Sequence, residues 1–219
     1  MLSHLDRSLF PDRCEVIEII PSQRYVYVIF KNGHSSFLSY QKTNNCRVFI
    51  NQQIKKINSI DIIVRNPHDR LISGINTYIQ HTLRDNPSLD PATVEWFAQN
   101  YLHLDRHYCT QFSWLLNLAR YLDVNAKLNF LPMTDIGKIT GLNEKPRGVH
   151  AASTELVDRI AQIKNNELYQ RIDAVIFKCI NQSMTFTELL QHIKISDSDA
   201  YEYVIGYSQK ILNPTYALS

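Results

Sequence analysis

The chain has 219 residues, 44% of them apolar, which suits one domain with a sizeable core. Its 23 basic and 21 acidic residues give a formal net charge of +2, and this balance argues against a dedicated nucleic-acid-binding protein. The sequence lacks both a transmembrane-length apolar run and a signal-peptide pattern, so we expect no membrane span and a cytoplasmic location. Its four cysteines are isolated and do not have zinc-ligand spacing, which indicates reduced thiols and no metal site.

The first third of the chain is predicted to form strands. Runs rich in Val, Ile and Tyr occupy residues 14–20 and 24–30, and shorter runs follow at residues 47–50 and 60–64. Near-continuous apolar runs of this length are typical of strands buried on both faces of a parallel sheet. The sequence therefore predicts a sheet that is assembled early in the chain.

Helical patterns dominate the rest of the chain. Helices are predicted at residues 67–84, 90–102 and 111–122, from their apolar spacing and from Pro or Asp near their starts. Residues 127–131 are predicted to return to the sheet as an edge strand, and residues 153–212 to form three more helices. Strands followed by helices in this order indicate an α/β layered domain with a helical C-terminal part.

A glycine-containing loop follows the second predicted strand, where residues 31–36 read Lys-Asn-Gly-His-Ser-Ser. Gly33 would let the backbone approach an anion closely, with loop amides and a helix N-terminus directed at that anion. Lys31 would add a positive charge, and Ser35 and Ser36 would add hydroxyl donors. The same residues also suit an ordinary surface turn with a serine N-cap, and they do not form a Walker A motif.

A second group of candidate anion ligands follows the fourth predicted strand, where residues 65–73 read Arg-Asn-Pro-His-Asp-Arg-Leu-Ile-Ser. The Arg65 guanidinium at the strand end and the Ser73 hydroxyl two turns into the next helix could hold one phosphate together. Arg70 and Asp69 are expected to make structural ion pairs around the loop. In the alternative interpretation, Arg65 is an ordinary strand-end cation and Ser73 an ordinary helix residue.

These two motifs, in this order and each after a predicted strand, resemble those of the sulfotransferases that use 3′-phosphoadenosine-5′-phosphosulfate (PAPS). That family carries Pro-Lys-x-Gly-x-[Ser/Thr]-[Ser/Thr] and later Arg-x-Pro-x-x-Arg-x-x-Ser, and this chain departs from the pattern at Phe30, where the family usually has Pro. Residues 105–111, Asp-Arg-His-Tyr-Cys-Thr-Gln, are similar to the Asp-x-His-Trp-x-Pro-Gln motif of the carbohydrate sulfotransferases, with Tyr108 and Thr110 as departures. The resemblance covers roughly residues 24–145.

The resemblance implies a P-loop-like three-layer fold, with a central, mainly parallel sheet flanked by helices and a helical C-terminal part. A single domain would span residues 1–219, with the nucleotide-binding core at about 14–145 and the helical part at about 150–219. PAPS would be the sulfuryl donor, no metal would be required, and the acceptor would be the hydroxyl of a glycan or a small molecule. Because no membrane anchor is found, a soluble bacterial or viral relative is expected.

The resemblance also implies roles for individual residues. Lys31 would stabilise the charge that develops on the leaving phosphate, while Arg65 and Ser73 would hold the 3′-phosphate. His107 is the first candidate for the general base and His34 the second. The predicted cofactor ligands are Lys31, Asn32, Gly33, His34, Ser35, Ser36, Arg65, Ser73 and, from the basic loop at residues 145–148, Arg147. The predicted residues on the acceptor side are Asp105, Arg106 and His107.

Two other functions are compatible with the sequence. The first is a nucleotide-dependent phosphotransferase on a related P-loop-like fold, although the missing Walker lysine weighs against it. The second is a nucleotide-binding module that has kept the fold and lost the chemistry. Preference for adenosine 3′,5′-bisphosphate over ATP would separate the first alternative from a sulfotransferase.

Overall fold

A computed structural model of the chain describes residues 14–29, 32, 37, 40–42, 45–85, 87–101, 109–140, 154–162, 164–202 and 205–206. These residues form an α/β fold in which a six-stranded mixed sheet is flanked by helices. The strands are β1 (Glu15–Ile19), β2 (Arg24–Tyr27), β3 (Cys46–Ile50), β4 (Ser59–Val64), β5 (Lys127–Pro132) and β6 (Ser183–Thr185). Their order across the sheet is β3-β1-β2-β4-β5-β6.

The prediction of a mainly parallel sheet is wrong, because β2–β4 and β4–β5 are parallel whereas β1–β2, β1–β3 and β5–β6 are antiparallel. The physical reason lies in the connection between the first two strands. A short 3-10 turn, Ile20–Ser22, and the left-handed residue Gln23 (φ 52°) join them directly. Such a short link closes a hairpin, whereas a parallel crossover needs a dozen or more residues.

Helices lie where the apolar spacing predicted them at residues 67–84, 90–102 and 111–122, whereas a short helix at residues 136–140 was not predicted. They are α1 (Pro67–Asp85), α2 (Pro91–Tyr101), α3 (Gln111–Ala119), α4 (Ile136–Thr140), α5 (Thr154–Ala161), α6 (Lys164–Lys178) and α7 (Phe186–Ser196). No helix in the described parts of the chain combines the length and apolar character needed to cross a bilayer.

The C-terminal part of the chain also contributes a strand. β6 precedes α7 and pairs antiparallel with β5, with Leu128 opposite Met184. The sequence predicted β5 as an edge strand and this segment as helical throughout, and both expectations are corrected here. β5 is an inner strand because β6 covers its outer side.

Both faces of β4 are buried, as its apolar run predicted. Ile60, Ile62 and Val64 belong to the core that includes residues of α3, α6 and α7. Ile63 belongs to the core on the opposite face, with Ile136 and Ile139 of α4. A third apolar cluster joins α1, α2 and α5. The central strands are thus held on both sides, and their carboxyl ends are fixed points for the loops that follow.

Candidate anion-binding site

The two predicted anion-binding motifs follow neighbouring parallel strands. β2 pairs with β4 through Val26 opposite Asp61 and Tyr27 opposite Ile62. Residues 31–36 come four residues after β2 ends, and Arg65 comes directly after β4 ends. Since parallel strands have their carboxyl ends at one edge, both motifs start from the same edge, which is where open α/β sheets usually bind ligands.

Asn32 ties the first motif to β4. Its side chain is fully buried, and its Nδ2 donates hydrogen bonds to the Ile63 carbonyl at 2.8 Å and to Gln111 Oε1 at 2.6 Å. Its backbone N–H donates to the Ile29 carbonyl at 3.0 Å, which closes the turn after the strand. Asn32 as a cofactor ligand stays a prediction, and in the structure its Nδ2 joins residue 32 to β4 and to the start of α3.

Gln111, the first residue of α3, connects this turn to the second motif. Its Oε1 also accepts a hydrogen bond from the Arg65 backbone N–H at 3.0 Å, and its Nε2 donates to the Arg65 carbonyl at 3.1 Å. The side chain is completely buried. One carboxamide group therefore contacts both the Asn32 turn and the backbone of Arg65. Gln111 is the last residue of the third motif, so one residue from each of the three sequence motifs meets here.

The bridging role of Gln111 was not predicted from the sequence, in which this residue was noted only as the last position of the third motif. An amide residue that begins an otherwise apolar helix was the available signal, because a buried amide must be hydrogen-bonded. The neighbouring N-cap, Thr110, accepts from the Ser113 amide at 3.0 Å and fixes the start of α3.

Asp173, on α6, holds the same helix start from the other side. Its Oδ1 accepts a hydrogen bond from the Gln111 backbone N–H at 2.8 Å. Burial raises the pKa of this carboxyl to about 6, against the opposing effects of Arg70 and of the Gln111 and Phe112 backbone amides. A carboxylate at a helix N-terminus is favourably placed, but here the loss of hydration outweighs that benefit.

Arg70 forms a structural ion pair, as expected, and its partner on α6 is Asp173. Nη1 of Arg70 lies 3.7 Å from Oδ2 of Asp173, and the two side chains are 3% and 6% exposed. The pair connects α1, which carries Ser73, to the C-terminal part of the chain. Because Arg70 belongs to the second motif, the pair buries a positive charge within that motif.

Arg65 precedes α1, and Ser73 lies within that helix. The Arg65 guanidinium is partly buried, and burial lowers its pKa, with Asp69 opposing and Arg70 reinforcing that shift. The helix start between them is capped by Asn66, whose Oδ1 accepts from the His68 amide at 3.0 Å and the Asp69 amide at 3.3 Å. An anion next to Arg65 would compensate both the lost hydration and the repulsion from Arg70.

Three of the predicted site residues are described by the structure, and they are Asn32, Arg65 and Ser73. Gln111 brings Asn32 and the backbone of Arg65 together, and Ser73 lies on the helix that follows Arg65. The remaining predicted residues lie outside the described residues, and they are Lys31, Gly33, His34, Ser35, Ser36, Asp105, Arg106, His107 and Arg147. Within the described ranges, no group of three or more His, Cys, Asp or Glu side chains is placed to hold a metal ion.

Comparisons of the chain with models of known protein families, with curated proteins and with solved structures found no match. Any proposal for the function therefore rests on the residues of the candidate site.

Proposed function

We propose that the chain is a sulfotransferase that moves the sulfuryl group of PAPS to an acceptor hydroxyl. The observation that carries this proposal is the Gln111 carboxamide, which bonds both to Asn32 of the first motif and to the backbone of Arg65 in the second. PAPS carries anionic groups at its 5′ and 3′ positions, so its protein needs two anion sites at a fixed separation. The bonds that join Asn32 and Arg65 through Gln111 support the proposal that the two motifs act on one ligand.

In this proposal the first motif binds the 5′ end of the nucleotide. Ser35, Ser36 and the loop amides hold the phosphosulfate, and Gly33 allows the close approach of the backbone. Lys31 lies near the oxygen that bridges phosphorus and sulfur, where negative charge grows as the sulfur–oxygen bond breaks. The second motif binds the 3′-phosphate through Arg65 and Ser73, and this group distinguishes PAPS from ATP. Arg147 would add a further contact to the 3′-phosphate.

The chemical step joins the acceptor oxygen to sulfur and breaks the bond between sulfur and the bridging oxygen. The hydroxyl proton passes to a general base, for which His107 is the first candidate and His34 the second. Asp105 and Arg106 would orient His107 or contact the acceptor. The products are the sulfated acceptor and adenosine 3′,5′-bisphosphate, and the acceptor is a glycan or small-molecule hydroxyl.

Calorimetric titration with adenosine 3′,5′-bisphosphate, adenosine 5′-monophosphate and ATP tests the nucleotide site. We expect the bisphosphate to bind most tightly and to raise the melting temperature, because it binds the native state. Equal affinity for ATP and the bisphosphate would instead indicate a general nucleotide enzyme, such as a phosphotransferase.

A sulfate-transfer screen then tests the chemistry. Radiolabelled PAPS is incubated with pooled polysaccharides, lipids and small alcohols, and label should appear in one acceptor class. Bisphosphate binding without transfer to any pool would indicate a module that has kept the nucleotide site and lost the activity.

A further inference from the structure

β3 forms one edge of the central sheet. It stands last in the strand order, and among the described residues it pairs only with β1. Two hydrogen bonds that flank this ladder run from the Asn51 N–H to the Cys14 carbonyl at 3.1 Å and from the Ile20 N–H to the Asn45 carbonyl at 3.0 Å. Because hydrogen-bonded pairs alternate along an antiparallel ladder, the odd-numbered residues of β3 bond to β1. The residues whose backbone groups face outward are therefore Cys46, Val48 and Ile50.

β3 lacks the features that usually protect an edge strand. Its sequence, Cys-Arg-Val-Phe-Ile, contains neither Pro nor Gly, and its ladder with β1 runs through five consecutive pairs without a bulge. Its one charged side chain, Arg47, pairs within the sheet with Glu18, with Nη1 and Oε2 3.6 Å apart. The opposite edge strand, β6, is only three residues long. β3 is thus the edge at which a further strand can add.

Two-fold symmetry makes a second copy of β3 a suitable partner for this edge. A closed dimer pairs an edge strand antiparallel with its own copy. Since the outward-facing residues are the even-numbered ones, their backbone groups meet only when the two-fold axis lies at a residue. The registers that overlap at least three residues of β3 have the axis at Arg47, Val48 or Phe49.

Charge and one hydrogen bond discriminate between these registers. An axis at Arg47 would place two guanidinium groups directly opposite each other, which is unfavourable. An axis at Phe49 would need the Ile50 N–H, which already donates to Gln53 Oε1 at 2.9 Å. An axis at Val48 overlaps all five residues of β3 and joins the two copies of Val48 by reciprocal N–H···O bonds.

The register centred on Val48 also pairs the side chains well. On one face Val48 meets its own copy, and Ile50 meets Cys46 of the second copy, so the contacts are apolar. On the other face Arg47 stands opposite Phe49 of the second copy, where a guanidinium can lie over the aromatic ring. The Cys46 N–H can donate to the Ile50 carbonyl of the second copy without disturbing the bond to Gln53.

We propose that the chain forms a homodimer in which two copies of β3 pair antiparallel about a two-fold axis at Val48, so that the two sheets become one continuous sheet. β1 lies between β3 and β2, so the interface uses no residue of the candidate anion-binding site. The inference is therefore independent of the proposed function.

Sedimentation equilibrium of the full chain over a series of concentrations tests the dimer. We expect the mass to approach twice the chain mass of 25.5 kDa. A wild-type chain that stays monomeric at every concentration would overturn the inference, whether the edge of β3 is open or covered by another segment of the same chain.

Disulfide cross-linking tests the register. Cα atoms in an antiparallel hydrogen-bonded pair lie about 5.5 Å apart, within reach of a disulfide. In a Cys46→Ser background, Val48→Cys should form a covalent dimer on mild oxidation. Ile50→Cys in the same background is the matched control, because its two copies would lie four residues out of register, roughly 13 Å apart. A dimer that Val48→Cys does not cross-link, or that Ile50→Cys cross-links equally well, would show a different interface.

Val48→Pro tests the backbone pairing. It removes an N–H that faces outward and leaves the β1 ladder intact, which is the setting in which a strand tolerates Pro. We expect the dimer to dissociate at about tenfold lower affinity or worse, since both hydrogen bonds at the axis are lost. Val48→Thr keeps the N–H and the branched side chain and should dimerise as wild type does. Undiminished dimerisation of folded Val48→Pro would contradict the inference, and if this variant does not fold, the cross-linking result decides.

Discussion

Arg70 and Asp173 face each other across the core, with Nη1 and Oδ2 3.7 Å apart and both side chains almost excluded from solvent. They come from helices on opposite sides of the third motif in sequence, α1 and α6. Although Arg70 is close, the pKa of Asp173 is raised to about 6, because lost hydration outweighs the attraction. The pair is therefore a source of pH dependence as well as a link between two parts of the chain.

Arg70→Met removes the cation that faces Asp173. The remaining carboxylate is buried without this counter-charge, so the free energy of unfolding at pH 7 should fall by about 3–5 kcal/mol. Urea denaturation followed by circular dichroism measures the change. Arg171→Met is the control, since Arg171 pairs with Asp197 at the surface and its loss should cost at most about 1 kcal/mol. Equal effects of the two changes would mean that burial of the Arg70 pair does not matter.

The stability of the protein should depend on the ionisation of Asp173. Its pKa is near its ordinary value of 3.8 in the unfolded chain and about 6 in the folded protein, so between these values the folded state binds more protons. The contribution of this group to the free energy of unfolding is complete at low pH and is lost as pH rises from about 4 to about 6.

Asp173→Asn should remove that slope, because an amide does not titrate in this range. Asn can still accept a hydrogen bond from the Gln111 backbone N–H, but it leaves the buried Arg70 guanidinium without this counter-charge, so the variant should be less stable than wild type at pH 7. Urea denaturation of both proteins at several pH values between 4 and 7 gives the comparison. A slope that persists in Asp173→Asn would assign the pH dependence to other groups.

Arg65→Ala should weaken adenosine 3′,5′-bisphosphate binding by about 1.5–3 kcal/mol, the scale of a hydrogen bond to a charged group. Binding of adenosine 5′-monophosphate should hardly change, because that ligand lacks the 3′-phosphate. Ser73→Ala should show the same selectivity with a smaller loss, and Arg65→Lys should not restore full affinity, because an ammonium lacks the planar fork. Calorimetric titration measures all of these.

The matched control for these changes is Arg47→Ala, since Arg47 is an exposed strand arginine on β3. It should bind both nucleotides as wild type does. Equal losses for both ligands in Arg65→Ala would show that Arg65 supports the turn, and the 3′-phosphate site would then be sought at Arg147.

Lys31→Ala should lower turnover more than it weakens bisphosphate binding. The reason is that its charge matters most when the leaving phosphate becomes more negative, which happens in the transition state. Initial rates of sulfate transfer, set beside calorimetric affinities, separate the two effects. Turnover at the wild-type rate would reduce Lys31 to an ordinary loop cation.

His107→Ala should cut turnover and leave bisphosphate affinity nearly unchanged, since the proposed function assigns His107 to the acceptor. Loss of nucleotide binding in this variant would contradict its assignment as the base. His34→Ala is the comparison, because His34 is the second candidate and belongs to the first motif, residues 31–36.

The sequence predicted the elements of the fold better than their pairing. The apolar runs at residues 14–20, 24–30 and 60–64 became strands because Val, Ile and Tyr pack well in a sheet. A strand that is buried on both faces has the same apolar sequence pattern in parallel and in antiparallel pairs. The direction of strand pairing could therefore not be predicted from the sequence. β6 was missed because Ser-Met-Thr has no strand pattern of its own and becomes a strand by pairing with β5.

The sequence predicted only part of the candidate site, for a similar reason. Arg65 and Ser73 are close in sequence, so the sequence alone could predict that one follows β4 directly and the other lies on the next helix. Gln111 and Asp173 are 62 residues apart, and only the packing of α3 against α6 shows that they meet. Charge and amide chemistry can suggest that such residues need partners, but a single sequence does not say which ones.

The position of β6 bears on how the protein can be divided for laboratory work. A shortened chain that stops near residue 150 would keep the nucleotide motifs and lose β6. The outer side of β5 would then expose unpaired N–H and carbonyl groups beside a large apolar core, which is the kind of edge that pairs with other chains. Such a fragment is expected to aggregate on expression, even though every residue proposed to touch PAPS would be present.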